Sequence, residues 1–290
     1  MATEHFREFI AGAAGGVAQV LIGQPFDLIK VRLQIQHGSS AFAMTRKVWT
    51  TEGPLAFYKG SLLPLLGVDA CVSVQFGAFE AFCGMLKSLN LERGDRVVPL
   101  STYQLYLAGG LAGVTNSVIS GPIEHIRIRL QTQPSGSARL YCGPLDCARK
   151  IMRTFGIAGL YRGQVVTLLR EFHGYGIWFA AYEACVRYAA HRADKPREQL
   201  PNHTFALCGG VAGEALWLGS HPLDVLKSKM QSDGFCKLQR YPTLRSAFTQ
   251  TWQSGGFRAL FSGLGPALLR ALPVSAGTFG AVELCRTALS

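Results

Sequence analysis

Two long stretches of the chain carry no charge at all. Residues 9–26 and 97–123 contain no Asp, Glu, Lys or Arg, and each has the length of a helix crossing a hydrocarbon core of about 30 Å. The pattern around them recurs. An apolar stretch ends in a charged phrase, a polar loop carries a short amphipathic segment, and a second apolar stretch follows. In the first round this predicts a helix over 6–34, a loop at His37-Gly38-Ser39-Ser40, a short helix over 43–51 and a second long helix over 61–87. The same order returns over 101–190, with Pro134-Ser135-Gly136-Ser137 in its loop, and over 201–289. Charged linkers at 90–96 and 192–199 set three repeats, 1–96, 97–199 and 200–290. The expected fold is an all-α membrane protein with six transmembrane helices in three pseudo-symmetric repeats, each with a short amphipathic helix, and both termini on one side.

The repeats share more than hydropathy. One phrase occurs three times, about 100 residues apart: Pro25-Phe26-Asp27-Leu28-Ile29-Lys30, Pro122-Ile123-Glu124-His125-Ile126-Arg127 and Pro222-Leu223-Asp224-Val225-Leu226-Lys227. Such a period marks similar modules rather than one fold with a lone motif. Upstream lie glycine pairs four apart, Gly12/Gly16, Gly109/Gly113 and Gly209/Gly213, which allow close helix approach. Downstream lie Gln34, Gln131 and Gln231, then Tyr58-Lys59-Gly60, Tyr161-Arg162-Gly163 and Phe261-Ser262-Gly263, then Phe79-Glu80, Tyr182-Glu183 and Val282-Glu283.

Composition agrees with a membrane setting. Hydrophobic residues make up 48% and charged residues 16%, against roughly 25% charged in an average soluble protein. The mean hydropathy of +0.18 suits helices that are apolar toward lipid and polar toward an interior. A net charge of +11 suits either nucleic acid or anionic lipid headgroups. No zinc-finger spacing, RNA-binding aromatic signature or basic amphipathic run is present, so no nucleic-acid partner is expected. The eight cysteines are scattered, several within apolar runs, and read as reduced thiols. The first eight residues resemble neither a signal peptide nor a transit peptide. No cofactor or metal is called for.

In each phrase the acid and the base lie three residues apart on one helical face, just past a proline that kinks the axis. Charges at membrane depth are costly and face a protein interior or a water-filled cavity. Three such helices around an axis place Asp27, Glu124 and Asp224 in a ring with Lys30, Arg127 and Lys227, each acid facing the base of the next helix. Gln34, Gln131 and Gln231, one turn on, are in position to bond across the same pairs.

Over its whole length the chain resembles the mitochondrial carrier family, whose phrase adds a second base two residues on, here Arg32, Arg129 and Lys229. The resemblance implies an inner-membrane solute carrier that acts as a monomer on a small-molecule substrate, with the short helices on the matrix side and a central site between two gates. The ring is then the matrix gate. The cytoplasmic gate rests on Glu80, Glu183 and Glu283. Its bases are reduced to Arg286, because Cys83 and Val186 stand at the other two positions and Arg187 comes one residue late. A weak cytoplasmic gate implies a substrate-free carrier that rests open to the cytoplasm. Tyr58, Lys59 and Gly60, with Tyr161, Arg162 and Gly163, match the family's cardiolipin-binding element; the third copy lacks a cation.

Thirteen residues before the three gate acids stand Gly67, Arg170 and Arg270, by resemblance the contact points for substrate, followed by Val68, Glu171 and Ala271. Arginine forks bind carboxylates, and Glu171 suits an ammonium. Two readings of Arg170–Glu171 stand, a zwitterion site or a pair that neutralises itself. Gln75, Trp178 and Thr278 are the equivalent positions two turns toward the cytoplasm. Asp69, Glu214 and His173 are further polar groups in the apolar stretches, without an assigned role. The Arg-Glu pair resembles the amino-acid and carnitine branch, and Gly67-Val68-Asp69-Ala70-Cys71-Val72-Ser73 is similar to fungal Ymc-type carriers. The expected cargo is an amino acid, carnitine or acylcarnitine. The alternatives are another cargo such as a carboxylate, or a proton leak. No Walker loop, serine elbow or metal-ligand helix motif supports an enzyme.

Overall fold

The computed structural model of the chain describes residues 2–36, 38–92, 99–235 and 239–289; the side chains at 2–9, 11, 68, 69, 92, 279, 286 and 289 lie outside the description. The elements are helices: α1 (Ala2–Ile35), α2 (Ala41–Glu52), α3 (Leu62–Glu92), α4 (Thr102–Thr132), α5 (Pro144–Leu160), α6 (Gln164–Ala193), α7 (Asn202–Ser232), α8 (Leu244–Leu260), α9 (Leu264–Leu269) and α10 (Ala271–Leu289). The long helices form a ring. α3 packs on α4, α4 on α6, α6 on α7 and α10 on α1, while α1, α4 and α7 also meet one another. α1, α4 and α7 each keep a proline inside the helix, at Pro25, Pro122 and Pro222.

The polarity of this ring is inside out. Val17, Leu21, Leu66, Val118, Val165, Leu207 and Leu272 are exposed on the outer faces, while Lys30, Gln34, Gln75, Asn116, Arg170, Glu171, Asp224 and Lys227 are buried. Lysine and arginine are almost never buried without a partner in a protein bathed by water, so these groups imply an enclosed polar interior. Among the described residues, only the stretch Leu244–Cys285 and a bent pair, Pro54–Gly67 with Ala70–Leu91, are apolar enough by themselves to cross a membrane. The remaining long helices fall short because their inner faces are polar.

Each short helix closes an apolar cluster under one long helix. Met44 and Val48 of α2 pack on Leu28, Ile29 and Leu33. Cys147 and Ile151 of α5 pack on Ile126 and Leu130, and Ala247 of α8 packs near Leu226 and Met230. These clusters hold the ends of α1, α4 and α7 where the charged phrases lie.

Two features differ from the expectation. Of the glycine pairs, only Gly109 and Gly113 bring helices together: a Cβ there would lie 2.7 Å from the Tyr175 carbonyl oxygen and 2.5 Å from that of Glu171. Gly12, Gly16, Gly209 and Gly213 have nothing within 4 Å, and α1 approaches its neighbour through Gly15 instead, on the face toward Thr278 and Val282. α9 and α10 meet at Arg270, where the backbone stays helical (φ −62°, ψ −32°) although Pro273 supplies no N–H to the preceding turn. The 90–96 linker also begins later than expected, since α3 continues to Glu92; residues 93–96 lie outside the described residues.

Candidate functional site

Near the ends of α1, α4 and α7, three ion pairs connect the three repeats in a closed ring. Asp27 accepts from Arg127 at 2.8 Å, Glu124 pairs with Lys227, and Asp224 with Lys30 at 2.7 Å. Each acid thus meets the base of the next repeat. The glutamines one turn on behave unequally. Gln34 donates to Asp224 Oδ2 at 2.8 Å, whereas Gln231 donates to Thr167 at 3.2 Å and the Gln131 side-chain nitrogen has no partner. Gln131 meets the first repeat through its backbone carbonyl, which accepts from Arg32 Nε at 3.2 Å. A glutamine outside the repeated pattern does more. Gln24 accepts from Arg127 at 2.7 Å and donates to the Lys59 carbonyl at 2.7 Å. Its counterparts before the other prolines are Gly121 and His221, so nothing in the repeat pointed to it.

Outside the ring, Arg32 forms a fork with both oxygens of Glu52, one arm at 2.9 Å, and Lys59 joins the same carboxylate at 2.6 Å. The Arg32 guanidinium holds the Glu52 carboxyl down at about 2 from its ordinary 4.5.

Above the ring lies a cavity of about 280 Å³. Gly67 and Gln75 of α3, Arg170 and Glu171 of α6, and Arg270 at the α9–α10 junction line it. Arg170 and Glu171 bond each other and are 8% and 2% exposed, a pair sealed from bulk water yet on the cavity wall. Neither is confined to that pair. Arg170 Nε lies 3.6 Å from Asp224 Oδ1, and Lys227 lies 3.7 Å from Glu171. Arg270 Nε lies 3.4 Å from Asp27 Oδ1 and packs on Gly23, where a Cβ would come within 2.7 Å of that nitrogen. The cavity arginines therefore touch the acids of the ring directly. Trp217 of α7 faces them, with Lys30 at 3.8 Å and Arg170 at 5.6 Å from its ring centre, a cation–π arrangement. Trp217, Tyr175, Asn116 and Ser120 also line the cavity and were not singled out by the sequence. No repeated motif includes them.

Trp178 and Thr278 lie away from this lining. Trp178 stacks on Tyr182 and meets Phe76 and Phe179 edge-on, and Thr278 faces Gly15. His173 bonds the Tyr106 hydroxyl at 2.6 Å rather than the Arg-Glu pair. The side chains of Val68 and Asp69 lie outside the described residues. At the end away from the ring, Glu80 and Glu283 are exposed, and Arg286 is another side chain outside the description. Glu183 is held at 3.0 Å by Arg187 and at 2.7 Å by Arg197 of the following linker, both within one repeat. Among the described residues, no ion pair joins the long helices there. An aromatic contact does: Phe79 of α3 stacks on Phe179 of α6.

Gly60, Gly163 and Gly263 adopt left-handed backbone at the starts of α3, α6 and α9. Gly263 sits so close to α1 that a Cβ would lie 2.8 Å from the Lys30 carbonyl oxygen, and Gly60 faces the Arg127 carbonyl in the same way at 3.3 Å. Tyr58 is exposed, and the Tyr161 hydroxyl donates to the Val118 carbonyl at 2.9 Å. The two cations beside them have protein partners. Lys59 joins Glu52, and Arg162 reaches Asp233 at 3.0 Å and the Met230 carbonyl at 3.0 Å. No group of three or more His, Cys, Asp or Glu among the described residues is placed to hold a metal ion.

The family described as mitochondrial carrier protein matches the chain three times, at residues 2–89, 98–193 and 198–290. The chain belongs to the mitochondrial carrier family. Its relatives include the glutamate/glycine mitochondrial carrier ymc1 of Schizosaccharomyces pombe, 42% identical over 96% of this chain and 92% of the relative. The mitochondrial glycine transporter YMC1 of Saccharomyces cerevisiae is 43% identical over 96% and 90%. The mitochondrial basic amino acids transporter of Bos taurus is 38% identical over 96% and 90%. The carrier is thus a multi-pass transporter of the mitochondrial inner membrane, not an enzyme.

Proposed function

We propose that this carrier moves an amino acid across the inner membrane by alternating access, through six membrane-spanning helices. The observation that carries the reading is the buried Arg170–Glu171 pair on the cavity wall with Arg270 nearby. A cargo carboxylate takes the arginine forks, and its ammonium takes Glu171 in place of Arg170. The ring residues line the cavity too, so its wall holds five cations (Lys30, Arg127, Arg170, Lys227, Arg270) and four carboxylates (Asp27, Glu124, Glu171, Asp224), a near balance of charge that suits a zwitterion. Its volume of about 280 Å³ lies just under the roughly 300–1,000 Å³ of drug-sized ligand sites. That suits an amino acid better than a long acyl ester. The names of the fungal and mammalian relatives support the same class.

The site is joined to the gate. Arg170 and Arg270 each lie within 4 Å of a ring acid. A cargo carboxylate that draws both arginines to itself removes one cation from Asp224 and one from Asp27. The ring then keeps only its three inter-repeat pairs, and its opening toward the matrix becomes easier. Through this step the asymmetric site acts on the threefold gate. Tyr58, Lys59, Gly60, Tyr161, Arg162 and Gly163 are assigned to cardiolipin contact through the backbone N–H groups at the helix starts, with Lys59 and Arg162 steadying the loops.

Uptake by reconstituted liposomes tests the function. Labelled glycine, glutamate, ornithine and carnitine are offered with each unlabelled compound inside, and proton conductance is followed in parallel. Saturable exchange of at least one amino acid is expected. Proton conductance without exchange of any cargo would reject the reading in favour of a leak.

A further inference from the structure

One wall of the cavity carries polar groups that the zwitterion contacts leave unused. Asn116 and Ser120 stand one turn apart on α4, both line the cavity, and they are 3% and 8% exposed. Asn116 Oδ1 and Ser120 Oγ have no hydrogen-bond partner in the protein. Opposite them on α3, Gln75 accepts from Asn116 Nδ2 at a long 3.4 Å. Buried acceptors without partners are rare in native proteins and each calls for an explanation.

The serine is informative because its neighbours behave differently. Ser220, its counterpart in the third repeat, donates to the Leu216 carbonyl at 2.6 Å, and Ser117 donates to the Val114 carbonyl at 2.6 Å. A helical serine ordinarily satisfies itself this way. Ser120 does not, so its hydroxyl is free for the cavity. The corresponding first-repeat positions are Gln19 and Gly23, and Leu216 replaces Asn116 in the third. The wall exists once in the molecule, where a gate has no use for it and an asymmetric cargo does.

We propose that Asn116, Ser120 and Gln75 form a subsite for the cargo's side chain, selecting amino acids whose side chain ends in a hydrogen-bond donor. The inference rests on the zwitterion reading of Arg170, Glu171 and Arg270. Those residues hold the carboxylate and ammonium common to every amino acid, so they cannot distinguish one from another. Asn116 Oδ1 and Ser120 Oγ offer acceptors to a hydroxyl, carboxamide or ammonium. An aliphatic side chain of the same size leaves both acceptors unpaired and is disfavoured for that reason.

The test is competition against labelled glycine exchange in liposomes, by serine against alanine and by glutamine against leucine, with the ratio within each pair taken for wild type, Ser120→Ala and Asn116→Leu. Wild type is expected to prefer serine and glutamine by about tenfold, the effect of a hydrogen bond made or missed. In each variant the preference should fall toward unity. Cargo-induced shifts of Tm in detergent give the same ratios for any variant that binds without exchanging. Equal competition within each pair by wild type, or ratios unchanged in both variants, would overturn the subsite while leaving the zwitterion reading intact. If no amino acid exchanges or shifts Tm, the zwitterion reading fails and the subsite with it.

Discussion

Arg170 lies between two carboxylates, Glu171 and Asp224, while Arg270 lies beside a third, Asp27. Removing one partner from such buried sets typically costs about 3–5 kcal/mol, because a charge is left without compensation. A cargo that brings its own carboxylate and ammonium moves partners without losing them, which makes these side chains fit for exchange. Outside the ring, Glu52 offers a simpler residue-scale test. Its folded pKa of about 2 is below the ordinary 4.5. Its contribution to stability is therefore complete above pH 4.5 and is lost as pH falls toward 2. Glu52→Gln should lower Tm at pH 7, and the gap to wild type should close progressively below pH 4.5; a gap independent of pH would count against the Arg32–Glu52 fork. The sequence made the ring acids and bases legible because they repeat with fixed spacing. Gln24, Trp217 and Asn116 were not legible, since each occurs in one repeat only, and Ser120 was not, since its counterpart Ser220 bonds its own helix; each declares itself only by what it touches.

Among the elements, the even members of the ring are positioned by where they start. Gly263 combines a φ of +83° with a backbone contact that no side chain fits. Gly263→Ala should lose roughly 1–2 kcal/mol from the left-handed backbone alone, and more from displacing the Lys30 carbonyl. Gly265→Ala, two residues on with open space around it, should leave Tm almost unchanged, so equal melting of the two variants would contradict the proposed seating. The order of long and short helices was readable from hydropathy and the repeated phrase. The roles of the glycine pairs were not, because a GxxxG pattern does not say which face meets a neighbour: α4 uses Gly109 and Gly113, and α1 uses Gly15.

For the whole molecule, the two ends of the ring differ. One is closed by three inter-repeat ion pairs; the other has Glu183 bonded within its own repeat and an aromatic contact between α3 and α6. The substrate-free carrier is therefore expected to favour the state closed toward the matrix. Cys71 lines the cavity and can report this. With the other cysteines replaced, it should react with a membrane-impermeant thiol reagent added from the cytoplasmic side and be protected by cargo. Faster reaction from the matrix side would contradict the expected resting state.

The central claim is that Arg170, Glu171 and Arg270 bind an amino acid and pass its binding on to the gate. It is tested most directly by uptake of labelled glycine into liposomes containing wild type, Glu171→Ala or Arg270→Ala, with folding of each checked by its Tm. Wild type should exchange glycine, and both variants should lose at least 90% of that rate, about 1.4 kcal/mol or more, while remaining folded. Near-normal uptake by both folded variants would contradict the claim.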